Sequence, residues 1–230
     1  LYGTSISARR RASNDHACYH PGRTRRRDPV TAQHALYTAD DFDADAHVSP
    51  ADALARLEEG NRIYVEALDH ERDLSPERIM NLFEHGQKPF ATIITCADSR
   101  IVPEHIFMTG LGEAFVIRIA GNVIGPIEAA SAVYACEHLH TRLLLVLGHT
   151  HCGAIKAALE GERGPLAPIT EQIATAIGDE SDPYQASVLN ATAAIQRLRG
   201  ESELRTLEHD GALQIKGAIY HTHCGVVDFL

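Results

Sequence analysis

The sequence predicts an α/β fold with a mainly parallel β-sheet flanked by helices, an N-terminal helical extension and a C-terminal hairpin. Short β-rich runs at 90–96, 114–120 and 142–148 are apolar without clean alternation, which is typical of strands covered on both faces. The helical stretch 127–140 lies between the last two runs and is long enough for a right-handed crossover. Strand–helix units repeated in this way favour a parallel sheet.

Two helices are predicted before the first strand. Ser49 suits an N-cap and Pro50 suits the first helical position, although Gly60 should weaken this helix. A second helix starts in the same way after Ser75 and stops at Gly86. The apolar face of the first helix comprises Leu54, Leu57, Tyr64, Val65 and Leu68.

The C-terminal third predicts further helices and then a hairpin. Residues 168–199 have a helical pattern with a fresh start at Asp182. The alternating run 212–220 and the short run 226–230 predict two strands joined by a tight turn. These two strands form the C-terminal hairpin.

Composition limits the classes of function. The chain has 230 residues, of which 44% are hydrophobic, enough for one sizeable core. Its formal net charge of −10 disfavours nucleic acid as a partner. We expect no membrane span, because no apolar run approaches the roughly 20 residues that one requires. Five cysteines, an odd number with scattered spacing, favour a reducing compartment over a disulfide framework.

The pentapeptide His-Thr-His-Cys-Gly occurs twice, at 149–153 and at 221–225. His and Cys three residues apart is a zinc-ligand spacing, and the first copy directly follows a predicted strand. Cys96 ends another predicted strand, so Cys96, His149 and Cys152 can converge at the carboxyl edge of the sheet. Two thiolates and one imidazole form a normal zinc set, and a catalytic zinc keeps its fourth position open.

The other candidate ligands are interpreted as structural. The second copy lies at the predicted hairpin turn, where Gly225 fits a turn and where His221 and His223 would face one side of an extended strand. No further Cys-x-Asp-x-Arg segment remains to complete a second site, so one zinc per chain is expected. His151 should point away from the metal because it adjoins Cys152. Cys136 belongs to an apolar helix face, and Cys18 is incidental.

Three segments resemble the β-class carbonic anhydrases: "CADSRIVPE" (96–104), "GEAFVIRIAGN" (112–122) and "LGHTHCGAIKAAL" (147–159). The likeness runs from the Ser49 helix through the last strand. It implies reversible hydration of carbon dioxide to bicarbonate and a proton by a zinc-bound hydroxide. The zinc ligands would be those named above, and Asp98 and Arg100 would form the family's catalytic dyad. It also implies a homodimer or a higher even homo-oligomer, with N-terminal helices packed across the partner.

In one branch of that family the Asp leaves its Arg and binds zinc at low pH. The branch is associated with a bicarbonate pocket that uses a Trp. This chain has no Trp, although Arg118 matches the pocket's Arg. We therefore expect the open form near neutral pH, with Asp98 paired to Arg100 and Asp98 a ligand only in a closed form.

Alternative functions remain open. Carbon disulfide hydrolysis could use the same scaffold and zinc set. A zinc-stabilised interaction domain without activity would need a fourth protein ligand. A thiol redox protein is disfavoured because the chain has no Cys-x-x-Cys.

Residues 1–47 are interpreted as a disordered or partner-draped extension and residues 48–230 as the zinc-dependent catalytic domain. Residues 1–27 hold seven Arg and one acid, without the apolar segment of a secretory signal. A cytoplasmic location is expected, or an organelle if this basic segment is the remnant of a transit peptide.

Overall fold

The computed structural model describes residues 48–68, 70 and 72–230. The extension 1–47, with Cys18 and the interpretations placed on it, lies outside the described residues. The described helices are Pro50–Glu66 (α1), Pro76–His85 (α2), Pro103–Ile106 (α3), Pro126–His138 (α4), Gly153–Leu159 (α5), Ala167–Ile177 (α6), Pro183–Leu198 (α7) and Ser202–His209 (α8). The strands are Ala91–Thr95 (β1), Ala114–Arg118 (β2), Leu143–His149 (β3), Gln214–Tyr220 (β4) and Val227–Phe229 (β5).

One five-stranded sheet has the order β2-β1-β3-β4-β5. The first four strands are parallel, and β5 is antiparallel to β4, which confirms the mainly parallel sheet and the C-terminal hairpin. Every residue of β1 and β3 is buried, as expected for strands with two covered faces. The same expectation is wrong for β2, because β2 forms the edge of the sheet and is only half-buried.

The sheet register determines where the functional residues meet. Thr95 of β1 pairs with Leu147 of β3, and His149 of β3 pairs with Tyr220 of β4. The residues just after β1, β3 and β4 therefore lie side by side at one edge. Both copies of the pentapeptide lie at this edge, at the ends of the adjacent strands β3 and β4.

Helix α1 begins as predicted, with the Ser49 hydroxyl capping the helix. Gly60 does not interrupt it; a Cβ there would lie 1.9 Å from the carbonyl oxygen of Phe107, so glycine permits a close approach to that backbone. The buried apolar face is shorter than predicted at its C-terminal end. The helix ends at Glu66, and both Val65 and Leu68 are exposed.

Helix α1 packs on its own chain. Ala53 and Leu57 are fully buried in the same apolar cluster as β1 and β3. Helix α2 differs, because none of its residues is buried. Of the two helices before β1, α2 is therefore the one that contributes nothing to the buried core of the described chain. Among the described helices, none has the length and apolarity needed to cross a bilayer.

Candidate metal centre

Three side chains from two adjacent strand ends meet at the carboxyl edge of the sheet. Cys96 follows β1, His149 ends β3, and Cys152 precedes the first residue of α5. One ligand atom from each lies within 4.8 Å of the other two, and all three residues are buried. Within the part of the chain that the structure describes, this is the one group of three or more such side chains close enough to hold a metal ion.

The spacing of the two thiols fits a single zinc ion. The Sγ atoms of Cys96 and Cys152 lie 4.0 Å apart. Two sulfurs bound at 2.3 Å to one tetrahedral zinc would lie about 3.8 Å apart. The two side chains can therefore bind one ion with little movement.

The His149 ring is oriented for metal binding. Its Nδ1 lies 2.9 Å from the carbonyl oxygen of Thr150, so Nδ1 carries the proton and donates it. Its Nε2 is buried and has no hydrogen-bond partner among the described residues. A buried nitrogen lone pair without a partner is costly, and a metal ion bound beside the two thiols would satisfy it.

A hydrogen bond between the two thiols separates their pKa values. The hydrogen bond from Cys152 lowers the pKa of Cys96 to about 4. The same hydrogen bond, followed by burial, raises the pKa of Cys152. The pair thus loses its first proton readily and its second with difficulty, and a bound dication would favour the loss of both.

Gly121 supports Cys96, a role that the motif around it, residues 112–122, did not indicate. Its backbone N–H donates to Cys96 Sγ at 3.3 Å, and its carbonyl accepts from the buried Asn190 side chain at 2.8 Å. Its φ is +69°, and a Cβ there would lie 2.9 Å from both Ala154 and Ile173. The sequence shows a glycine just after a predicted strand. It does not show that this glycine contacts Cys96.

Asp98 and Arg100 form an ion pair beside the three candidate ligands. The Arg100 guanidinium donates to both carboxylate oxygens of Asp98, at 2.9 and 2.7 Å. These hydrogen bonds are the main reason that the pKa of Asp98 is lowered to about 2. Asp98 is therefore ionised at neutral pH.

Two further contacts hold this pair at the site. Arg100 also donates to the carbonyl of His151 at 3.0 Å, which links the segment after β1 to the segment after β3. Arg118 donates to the backbone carbonyl of Asp98 at 2.8 Å. The side chain of His151 is exposed and does not belong to the metal-binding group.

The second pentapeptide copy forms the turn between β4 and β5. The expectation that His221 and His223 share one side of an extended strand is wrong, because the chain turns after Tyr220. The Nε2–H of His221 donates a 2.7 Å hydrogen bond to the Asp228 carboxylate, and the ring stacks on Tyr184. Its residues form no metal-binding group with other described side chains.

Besides Cys96, the described cysteine outside both copies is Cys136. It is fully buried in the main apolar cluster. Burial raises the pKa of its thiol to about 11, so it stays protonated at neutral pH. The expected core role is confirmed.

Comparison with known proteins agrees with this geometry. A family model described as "Carbonic anhydrase" matches residues 91–227, which include all three candidate ligands. This chain belongs to the β-class carbonic anhydrase family. The carbonic anhydrase of Mycolicibacterium smegmatis is 34% identical over 193 residues, covering 78% of this chain and 93% of that protein. The carbonic anhydrase of Synechococcus elongatus is 36% identical over 190 residues, covering 72% of this chain and 70% of that protein.

Solved structures show the same fold. The β-carbonic anhydrase CafA of Aspergillus fumigatus superposes with a TM-score of 0.60 at 26% identity, covering 78% of this chain and 89% of that chain. The β-carbonic anhydrase CcaA gives a TM-score of 0.59 at 27% identity, covering 77% and 91%. The fold class predicted for this chain is thereby confirmed.

Proposed function

We propose that Cys96, His149 and Cys152 hold one zinc ion and that the chain uses it to hydrate carbon dioxide reversibly to bicarbonate and a proton. The observation that carries this assignment is the buried Nε2 of His149, which has no described protein partner and lies beside two thiols 4.0 Å apart. Bound zinc supplies a water molecule of lowered pKa, which is nucleophilic near neutral pH.

Asp98 is proposed to orient the reacting water. The two thiolates of the site cancel the charge of a dication, so the protein must supply further help in activating water. Asp98 is held ionised by Arg100 and can accept a hydrogen bond from the water, which turns a lone pair toward the carbon atom of the substrate. Arg100 acts through Asp98 by fixing the position and charge of that carboxylate.

The surroundings of the thiols suit an apolar substrate. Val123 and Ile155 are buried in the same cluster as Cys96 and Cys152, and Ile119 packs against this cluster. Carbon dioxide is small and apolar, so side chains of this kind are sufficient to hold it.

Stopped-flow carbon dioxide hydration, with zinc content measured on the same sample, tests the proposal. We expect one zinc per chain and hydration activity that depends on it. A zinc-loaded protein without hydration activity would overturn the proposal. Carbon disulfide turnover in that sample would then point to the related hydrolase, and the lack of both activities to a zinc-stabilised interaction domain.

A homo-oligomer is proposed as the working form. Helix α2 exposes Ile79, Met80 and Phe83 on one face, and Phe83 is 84% exposed in the single chain. The solved β-carbonic anhydrases of Sordaria macrospora are described as tetrameric. We expect light scattering to give a dimer or a higher even assembly, and Phe83→Asp to dissociate it. A monomeric wild-type protein would contradict the proposal.

A reducing compartment such as the cytoplasm is proposed as the location. The Cys96 and Cys152 sulfurs must both remain thiolates to bind zinc. They are close enough that oxidation could remove both of them as zinc ligands.

A further inference from the structure

We propose that Thr222, the second residue of the second pentapeptide copy, is a positioning residue for His149. This inference rests on the proposed function only in taking His149 as a zinc ligand. Thr222 does not touch the metal-binding group; it acts through Thr150, the neighbour of His149 in the first copy. The second copy would then support the zinc site without contributing a ligand.

The contacts form a continuous path from the turn to the imidazole. The backbone N–H of Thr222 donates to Thr150 Oγ1 at 3.0 Å, and the two threonine hydroxyls lie 3.1 Å apart. The Thr222 hydroxyl also lies 3.5 Å from the carbonyl oxygen of Thr150, at the limit of a hydrogen bond. That carbonyl is the acceptor for Nδ1 of His149, at 2.9 Å.

Thr150 is held from the same side by β4. Its backbone N–H donates to the carbonyl of Tyr220 at 3.0 Å, which continues the β3–β4 ladder by one residue. The Thr222 hydroxyl adds the contacts that fix the Thr150 side chain and carbonyl. Since this carbonyl determines the tautomer and the orientation of the ring, Thr222 determines the direction of the Nε2 lone pair.

The turn itself does not depend on this hydroxyl. The N–H groups of His221 and Gly225 close the turn on backbone carbonyls, each at 2.8 Å. The buried Asn61 side chain binds both Gly225 and Val227. Removal of one hydroxyl from Thr222 should therefore leave the turn folded, so that its effect on the metal can be measured alone.

The test compares zinc release from purified, zinc-loaded variants to an excess of a metal chelator at neutral pH. Thr222→Val keeps the side-chain shape and the backbone N–H but removes the hydroxyl, and Thr222→Ser restores the hydroxyl. We expect Thr222→Val to release zinc about tenfold faster, the lower end of the effect of outer partners of metal ligands. Thr222→Ser should release it at nearly the wild-type rate.

Thr206→Val is the matched control. Thr206 lies on the exposed face of α8, and its hydroxyl bonds to the Ser202 carbonyl at 2.8 Å, so the same substitution removes one hydrogen bond away from the site. Its zinc release should equal that of the wild type. Cobalt-substituted Thr222→Val should also show shifted visible absorption bands, which a loss of stability elsewhere would not produce.

Equal zinc release from Thr222→Val and Thr206→Val would overturn the inference, as would fast release from Thr222→Ser. If Thr222→Val does not fold, Thr222→Ala compared with Thr222→Ser decides the same question. The result is independent of carbon dioxide hydration: zinc-loaded wild type without hydration activity would contradict the proposed function and leave the comparison of zinc release intact.

Discussion

The two copies of His-Thr-His-Cys-Gly have the same five residues and opposite roles in the structure. In the first copy, His149 and Cys152 are buried beside Cys96 within 4.8 Å. In the second copy, His223 is exposed, Cys224 is half-buried, and His221 bonds to Asp228. A metal-ligand spacing therefore becomes a site only where the fold supplies the remaining ligand.

The difference arises from the element that succeeds each strand. After β3 the chain enters α5, which aims Cys152 back toward the end of β1. After β4 the same five residues form a turn, and the chain then reverses direction into β5. Because β3 and β4 are neighbours, the second copy lies against the first at Thr150 and Thr222.

The largest expected effect concerns the two thiols of the metal-binding group, Cys96 and Cys152. Cys96→Ser or Cys152→Ser should abolish both zinc binding and carbon dioxide hydration, because a hydroxyl does not replace a thiolate as a soft ligand. Metal analysis after dialysis and stopped-flow assay provide the measurement. Retention of one zinc per chain in either variant would show that the ligand set has been assigned incorrectly.

The next effect concerns the acidic residue beside the first copy. Asp98→Ala should keep its zinc and lose activity by about 100-fold, because the acceptor that orients the water is removed while three ligands remain. Arg100→Ala provides the companion variant, since it frees the carboxylate that Arg100 now holds at 2.7 Å. Full activity in Asp98→Ala would remove Asp98 from the mechanism.

A smaller effect tests the structural role of the second copy. The buried Asn61 side chain donates to the carbonyls of Ile106 and Gly225 and accepts from Val227 N–H, and so ties α1 to the hairpin turn. Asn61→Ala should lower the free energy of unfolding by about 3 kcal/mol, because these buried groups lose their partner. Urea denaturation measures this loss.

The control is Arg62→Ala, the adjacent position on α1, whose ion pairs are exposed. That variant should lose less than about 1 kcal/mol. Zinc content should be unchanged in both variants. Equal stabilities of the two variants would mean that the turn does not depend on α1.

The smallest effect is expected in the second copy's own thiol. Cys224→Ser should change the free energy of unfolding by no more than about 0.5 kcal/mol, since the residue is only half-buried. Zinc content and hydration activity should match the wild type. Loss of zinc in step with activity would mean that the second copy contributes a ligand.

Much of the fold could be predicted because its signals are local. The Ser49 and Ser75 caps, the apolar runs of β1 and β3 and the C-terminal hairpin depend on neighbouring residues, and all are present. The convergence of the candidate ligands could also be predicted, because the carboxyl ends of parallel strands meet at one edge.

The features that the sequence did not predict depend on contacts between distant segments. The support from Gly121 to Cys96 and from Thr222 to Thr150 joins residues 25 and 72 positions apart. The sequence predicts a weak point at Gly60, because it does not reveal that the Phe107 backbone lies against this residue. The half-buried state of β2 likewise depends on its place at the sheet edge, which composition does not determine.

A crystal structure of the zinc-loaded wild type near pH 7.5 tests the contrast between the copies most directly. We predict one zinc per chain, about 2.3 Å from the sulfurs of Cys96 and Cys152 and about 2.0–2.1 Å from Nε2 of His149, with the fourth position open to solvent. Asp98 should remain paired to Arg100. A zinc ion bound to His221, His223 or Cys224 would contradict the assignment of roles to the two copies, and an Asp98 oxygen about 2 Å from the metal would contradict the open site.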